Sequence, residues 1–273
     1  MLADQLRLSE QAYWEGLYDG VALPRAFDAA DRGLRNSLRL YLMGEIDRGW
    51  AQCAIRPGGR LLEIGCGASF LLPAIARRHA MYVEGMDYSP SGCVAARAML
   101  ARDGVEGIVH QADLFDPPAD LLGAFDLVTS FGVMEHFVDT ALALVAGAAL
   151  LRPGGVQVVS VPNLAGFNGA GLRRWRRDLF DIHVAFDADG LAHAHRRAGL
   201  EVIATHYVCP FYPFDFLTHL PASSGLKGMG IRALRNGALA ISAAAWELDR
   251  ALGGRWAAGR RWSPWLFCWS RKP

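Results

Sequence analysis

The most restrictive feature of this sequence is a rhythm. Short apolar runs, RLLEIG (60–65), MYVEGMD (81–87), GIVHQAD (107–113), FDLVTSF (125–131) and VQVVSVP (156–162), alternate with amphipathic segments of helix length at 68–79, 90–102 and 139–150. The runs lack strict polar–apolar alternation, which suits strands buried on both faces. Strands separated by helices of this length form parallel βαβ units. The expected fold is therefore α/β, with a mostly parallel, doubly wound sheet. RPGG occurs at 56–59 and at 152–155, and each predicts a helix stop and turn just ahead of a strand.

After residue 162 the rhythm breaks. Residues 163–180 carry Gly, Asn and the basic cluster Arg173, Arg174, Arg176 and Arg177, followed by a helix at 187–198 and an apolar run at 200–208. Aromatics, Pro and Gly at 209–230 predict an irregular loop. Ile231, Leu234, Ala238, Ile241, Ala245, Leu248 and Leu252, at alternating spacings of three and four, predict one apolar helix stripe. WLFCWS (265–270) closes the chain as a final strand.

Composition narrows the function. Of 273 residues, 52% are hydrophobic and 20% charged, which excludes a disordered chain. A formal charge of +1 argues against a dedicated nucleic-acid binder. The five cysteines form no C-x-x-C pair, so neither a disulfide framework nor a zinc site is expected. The N-terminus has no apolar signal core, and no run is long enough to span a membrane. These features predict a reduced, cytoplasmic protein.

The chemistry concentrates at Glu63-Ile64-Gly65-Cys66-Gly67, where a strand enters a glycine turn ahead of a helix. Glycines there permit positive φ and close approach of a ligand to the backbone. Asp87 closes the next strand, about twenty residues on, where a carboxylate can accept both ribose hydroxyls. Asp113, followed by Leu114, closes the strand after that, a polar and apolar pair suited to an adenine edge. A nicotinamide oxidoreductase is the main rival for these residues, but its G-x-G-x-x-G fingerprint would need glycine where Phe70 stands. A protein that binds cofactor without catalysis is the other alternative.

The ordered set E-x-G-x-G (63–67), MDYSP (86–90), QADLFD (111–116), FDLVTSFGVMEHF (125–137) and LRPGG before a strand (151–161) resembles the class I S-adenosylmethionine-dependent methyltransferases, in particular their small-molecule, quinone-biosynthesis-type branch. The resemblance implies a Rossmann-like, seven-stranded sheet whose last strand, 265–270, enters antiparallel beside the fifth. It implies S-adenosyl-L-methionine as cofactor, with Glu63, Gly65, Cys66 and Gly67 along its methionine part and Asp87 at the ribose. Tyr88 would pack on the adenine, Asp113 and Leu114 hold its amino edge, and Phe131 supply backbone. The acceptor would be a small metabolite methylated on O, N or activated C, with no nucleic acid involved; a second copy of the chain is left open as a partner.

Methyl transfer needs a base only where the acceptor must lose a proton. Glu135 and His136 directly follow the fourth strand, and His183 precedes a later helix. These are the candidate catalytic residues, with His136 preferred as base. Relatives that bind a divalent metal here have E-x-x-E-H; Gly132 replaces the first Glu, so no metal is expected. Trp14 and Tyr18, four apart, share a helix face. The 14–21 pattern is similar to an N-terminal aromatic lid that covers the cofactor. The expected division is a helical lid at 1–50 and a methyltransferase domain at 51–273, with acceptor-pocket insertions at about 163–186 and 209–262.

Overall fold

A computed structural model describes residues 5–18, 22–220, 225–252 and 258–273. Seven strands form one sheet: β1 (Arg60–Ile64), β2 (Tyr82–Asp87), β3 (Gly107–Gln111), β4 (Phe125–Phe131), β5 (Leu151–Pro162), β6 (Glu201–Val208) and β7 (Trp265–Arg271). Their order is β3-β2-β1-β4-β5-β7-β6. The first five run parallel, and β7 lies antiparallel between β5 and β6. The sheet expected from the rhythm and the resemblance is the one formed.

Successive strand residues point to opposite faces, and the two cores follow from that. Leu61 enters one core and Leu62 the other. The first face is covered by α2 (Leu34–Cys53), α3 (Leu71–His79) and α4 (Pro90–Arg102), through Met43, Ile46, Ile75 and Leu100. The second is covered by α5 (Thr140–Ala149) and α8 (Ala188–Arg197), through Leu144 and Leu191. Side-chain caps start three of these helices: Ser89 accepts from Gly92 N, Asp139 from Ala141 N, and Asp187 from Gly190 N. The remaining helices are α1 (Gln11–Tyr18), α6 (Phe167–Trp175), α7 (Arg177–Asp181) and α9 (Gly225–Ala251).

Four local expectations are corrected. The helix expected from residue 68 starts at Leu71, because the glycine turn continues and Ser69 Oγ takes the Leu71 N–H. The second RPGG does not precede β5 but lies inside it. Phe125 pairs with Leu151 and Leu127 with Val156, so 152–155 bulge, while Gly154 and Gly155 exchange hydrogen bonds with Lys272. The irregular loop ends earlier than residue 230, since α9 begins at Gly225; residues 221–224 of that stretch lie outside the described residues. The large residues of the expected α9 stripe face outward, while its Ala238 is buried. Leu234, Ile241, Leu248 and Leu252 are each more than half exposed, whereas Ala238, Ser242, Ala243, Trp246 and Asp249 are buried. Trp246 sets this rotation by packing against Tyr41 and Tyr212 and donating to Phe211 O.

The boundary drawn at 50/51 falls inside α2, which is built into the sheet's core. Gly49 of this helix lies on the Trp269 ring of β7: a Cβ there would stand 2.0 Å from the ring. Beside it Glu45 Oε1 accepts from Trp269 Nε1 at 3.1 Å and from His206 Nδ1 at 2.9 Å. Among the described residues no helix is long and apolar enough to cross a membrane.

Gly49→Ala tests this contact. Alanine normally stabilises a helix interior. Here forced overpacking is expected to win and to destabilise the protein by about 1–3 kcal/mol, read as a lower urea midpoint. A stabilised Gly49→Ala protein would show that α2 does not sit on Trp269.

Candidate functional site

At the boundary between β1 and β4 the strand order reverses, leaving a crevice at the carboxyl ends of the strands, where open α/β sheets take their ligands. Gly65 and Gly67 make the turn out of β1 with φ of +68° and +22°. A Cβ on Gly65 would come within 2.4 Å of Val133 Cγ2. This turn therefore excludes side chains both by backbone angle and by space. Gly132, at the end of β4, also has positive φ, +75°.

Two cavities meet over this turn, of about 120 Å³ and about 490 Å³. Both are lined by Trp14, Tyr18, Gly65, Phe131, Gly132 and His136. The smaller adds Asp87, Tyr88 and Leu114; the larger adds Glu63, Cys66, Glu135 and His183. Two expected residues do not line either cavity. Gly67 lies beneath the Tyr18 hydroxyl, and Asp113 is turned to Arg7.

The carboxyl groups here differ sharply. Asp87 accepts from Gly67 N at 3.0 Å and Ser89 N at 2.9 Å. Burial raises its pKa, and these two N–H groups oppose the rise. Glu63 is buried, and its Oε2 has no protein donor. Burial pushes its carboxyl up to about 8, with the Ser69 hydroxyl pulling the other way and Asp87 adding to the rise. Glu135 is likewise buried, with Oε2 unmatched and its carboxyl pushed up by burial to about 8.

His136 donates from Nδ1 to Ile182 O at 2.8 Å, which leaves Nε2 as an acceptor. Burial pushes its pKa down to about 3; nearby His183 adds to the drop and the Ile182 carbonyl opposes it. His183 donates from Nδ1 to Leu179 O at 2.5 Å, and its pKa is lowered mainly by burial. The two rings lie 4.3 Å apart between centroids. Val184 N donates to Glu135 O at 2.7 Å, so the 182–184 segment is clamped to the 134–136 turn. Glu135, His136 and His183 each offer one ligand-type atom within 4.8 Å of the others, a grouping that can hold a divalent ion.

The chain before α2 crosses this crevice. Trp14 meets His136 edge-on at 4.9 Å and donates to Ser9 Oγ at 3.0 Å. Gly20 and Val21, the end of the expected lid pattern, lie outside the described residues. Of the expected aromatic loop, Phe216 lines the larger cavity, while Phe211 and Phe214 pack with Phe167 and Trp262. The arginine cluster stays outside it: Arg176 pairs with Asp178 and Arg177 with Asp181. His195, by contrast, is buried at Ser270 Oγ, 2.8 Å away, and His193 is exposed. Sequence reasoning missed Arg7, Asp215 and His219, which line these cavities but stand in no motif.

A family model described as a methyltransferase domain matches residues 36–205. The ubiquinone biosynthesis O-methyltransferase of Neisseria meningitidis is 30% identical over 187 residues, covering 62% of this chain and 72% of that protein. The protein of the same name from Aromatoleum aromaticum is 37% identical over 106 residues, covering 39% of this chain and 45% of that one. Among solved structures, geranyl diphosphate C-methyltransferase from Streptomyces coelicolor, crystallised with S-adenosyl-L-homocysteine, superposes with a TM-score of 0.58 at 12% identity, covering 96% of this chain and 98% of that one. A putative sarcosine dimethylglycine methyltransferase from Galdieria sulphuraria gives 0.57 at 13%, covering 96% and 97%. These two likenesses are of fold. With the family match spanning well over half of its length, the chain belongs to the class I S-adenosylmethionine-dependent methyltransferases and is an enzyme of that kind.

Proposed function

We propose that this enzyme methylates a hydroxyl, of phenol type, on a small aromatic metabolite. The observation that carries the reading is His136: an uncharged imidazole whose Nδ1–H is committed to Ile182 O, leaving Nε2 as proton acceptor in the larger cavity. So weak a base suits an acidic hydroxyl better than an aliphatic one. Phe216, Trp265 and Tyr13 supply the aromatic lining. The curated relatives' names, both O-methyltransferases, agree.

S-adenosylmethionine supplies an activated methyl group on a sulfonium centre. Glu63, with its unmatched oxygen, fits a cationic ligand, and Asp87 fits a diol. Gly65, Cys66 and Gly67 would carry the methionine part, Tyr88, Asp113 and Leu114 the adenine, and Phe131 the adjoining backbone edge. Trp14 and Tyr18 cover the site and exclude water. Glu135 and His183 hold His136 and the acceptor in line. Residues 5–18 serve as the lid, and parts of 163–186 and 209–262 as acceptor walls. The setting is taken as cytoplasmic.

Asp87→Ala is expected to weaken S-adenosylhomocysteine binding about tenfold or more, since a charged hydrogen bond contributes roughly 1.5–3 kcal/mol. Unchanged calorimetric affinity would remove Asp87 from the ribose.

Glu63 is protonated at neutral pH while its carboxyl sits at about 8. An arriving cation favours the carboxylate. S-adenosylmethionine binding at pH 7 is therefore expected to release protons, and affinity to rise with pH up to about 8. Calorimetry in buffers of different ionisation enthalpy measures this. Glu63→Gln should abolish the release; the same release in that variant would reject the assignment.

His136→Ala is expected to lower kcat by about 10²–10⁴-fold while cofactor affinity changes little. With its pKa near 3, the imidazole is neutral throughout the working range, so kcat should show no acid limb near the ordinary value of about 6.5. Such a limb would contradict a buried neutral base. The Glu135–His136–His183 trio also favours a second reading, a bound divalent ion. Turnover that survives exhaustive chelation is expected; loss restored by added metal would assign the trio to an ion.

A further inference from the structure

The segment before α1 lies outside the region matched by the family model, yet it is fixed against the crevice. Val138 N donates to Leu6 O and Leu8 N to His136 O, both at 2.8 Å, and Arg7 pairs with Phe137 as an antiparallel bridge. This backbone leaves little choice about where the Arg7 side chain goes. Its guanidinium donates to Asp113 Oδ2 at 2.5 Å, with the side chain 12% exposed. It stands 5.0 Å from the centroid of the Tyr88 ring and 6.0 Å from those of Phe115 and Phe137. A cation set among three rings and paired with the Asp113 carboxylate is a specific environment, and a planar guanidinium can stack and donate there at once.

We propose that Arg7 is a cofactor-positioning residue that orients Asp113 and closes the adenosine end of the cleft. This rests on the reading of the smaller cavity as the adenosine pocket. Arg7 lines that cavity together with Tyr88, Leu114 and Phe131. Asp113 Oδ1 already accepts from Phe115 N at 2.9 Å, so one donor holds each of its oxygens. An ionised carboxylate has about four acceptor sites. Arg7 and Phe115 N use two and fix the plane of the group; Asp113 does not itself line the cavity, but its other acceptor sites remain for the amino edge of a purine. Without Arg7 the Asp113 side chain, tied among the described residues by Phe115 N of its own turn, loses its direction. The same short segment donates to the His136 carbonyl, so one strand of backbone joins the adenosine pocket to the acceptor end.

Calorimetry with S-adenosylhomocysteine on the full-length protein tests this. Arg7→Ala is expected to weaken binding about tenfold, as for loss of a charge-assisted hydrogen bond. Arg7→Lys, which keeps the charge but not the planar group stacked among the rings, should recover part of that loss. The Arg7→Ala/Asp113→Ala double variant should bind no more weakly than Asp113→Ala alone, because Arg7 acts through that carboxylate. In turnover, KM for the cofactor should rise by more than kcat falls, which a general loss of structure would not produce. Wild-type affinity in Arg7→Ala, tighter binding, or losses that add in the double variant would each overturn the proposal. If Arg7→Ala does not fold, full wild-type affinity in Arg7→Lys overturns it and a partial loss upholds it. A wild-type protein that fails to bind S-adenosylhomocysteine would overturn the cofactor reading itself.

Discussion

Two buried carboxyl groups set the terms for this structure. Glu63 and Glu135 stand on either side of the reversal in strand order, each almost wholly removed from water and each with one oxygen lacking a protein donor. A buried polar atom left unmatched costs about 1–3 kcal/mol. The surrounding fold must offset that, and it does so with rigid elements. Glu63 is held in β1, paired on both sides by β2 and β4. Glu135 is held in a short 3₁₀ turn whose carbonyl is tied to Val184 N. Strain of this kind at the carboxyl edge of a sheet is what a ligand site requires: groups kept out of their preferred state until something arrives to satisfy them.

The opposite side of the molecule shows how that rigidity is obtained. The antiparallel insertion of β7 brings Trp269 under α2, where Gly49 allows the helix to lie on the indole and Glu45 takes its N–H. His206 on the neighbouring β6 donates to the same carboxylate. One buried Glu thereby joins a helix and the last two strands. The α2 helix is part of this core and is covered from residue 36 by the family match, so residue 50 falls within one packed element. Among the described residues ahead of it, Arg7, Trp14 and Tyr18 line the crevice.

Much of this was legible in the sequence, for reasons specific to each element. The five parallel strands declared themselves because strands buried on both faces need continuous apolar runs, and the glycine turn because few other residues tolerate its φ. Trp14 and Tyr18 could be placed together because a spacing of four puts residues on one helix face. The outward stripe of α9 was not legible. Its sequence offers two faces, and the choice was made by Trp246, a single large residue whose partners Tyr41 and Tyr212 are distant in sequence. Arg7 was not legible either. A lone arginine in a polar N-terminal stretch acquires meaning only when Asp113, Tyr88 and Phe137 gather around it. The pairing of His136 with His183 depends on the same kind of long-range closure, through Ile182 and Val184.

The charge state of the cleft connects these parts. Glu135, His136 and His183 are all shifted toward their neutral forms by burial. Toward the cofactor end the carboxylates have donors instead: Asp87 accepts from two backbone N–H groups and Asp113 from Arg7. Methyl transfer from a sulfonium removes positive charge from the donor, and the acceptor's proton must leave as the new bond forms. In a site of low dielectric, a fixed charge beside the acceptor would favour one end of that process over the other. In the proposed reading His136 Nε2 takes that proton, so the positive charge lost by the sulfonium moves to the imidazole. Burial keeps His136 uncharged with Nε2 open before the reaction, which is the form that can accept a proton.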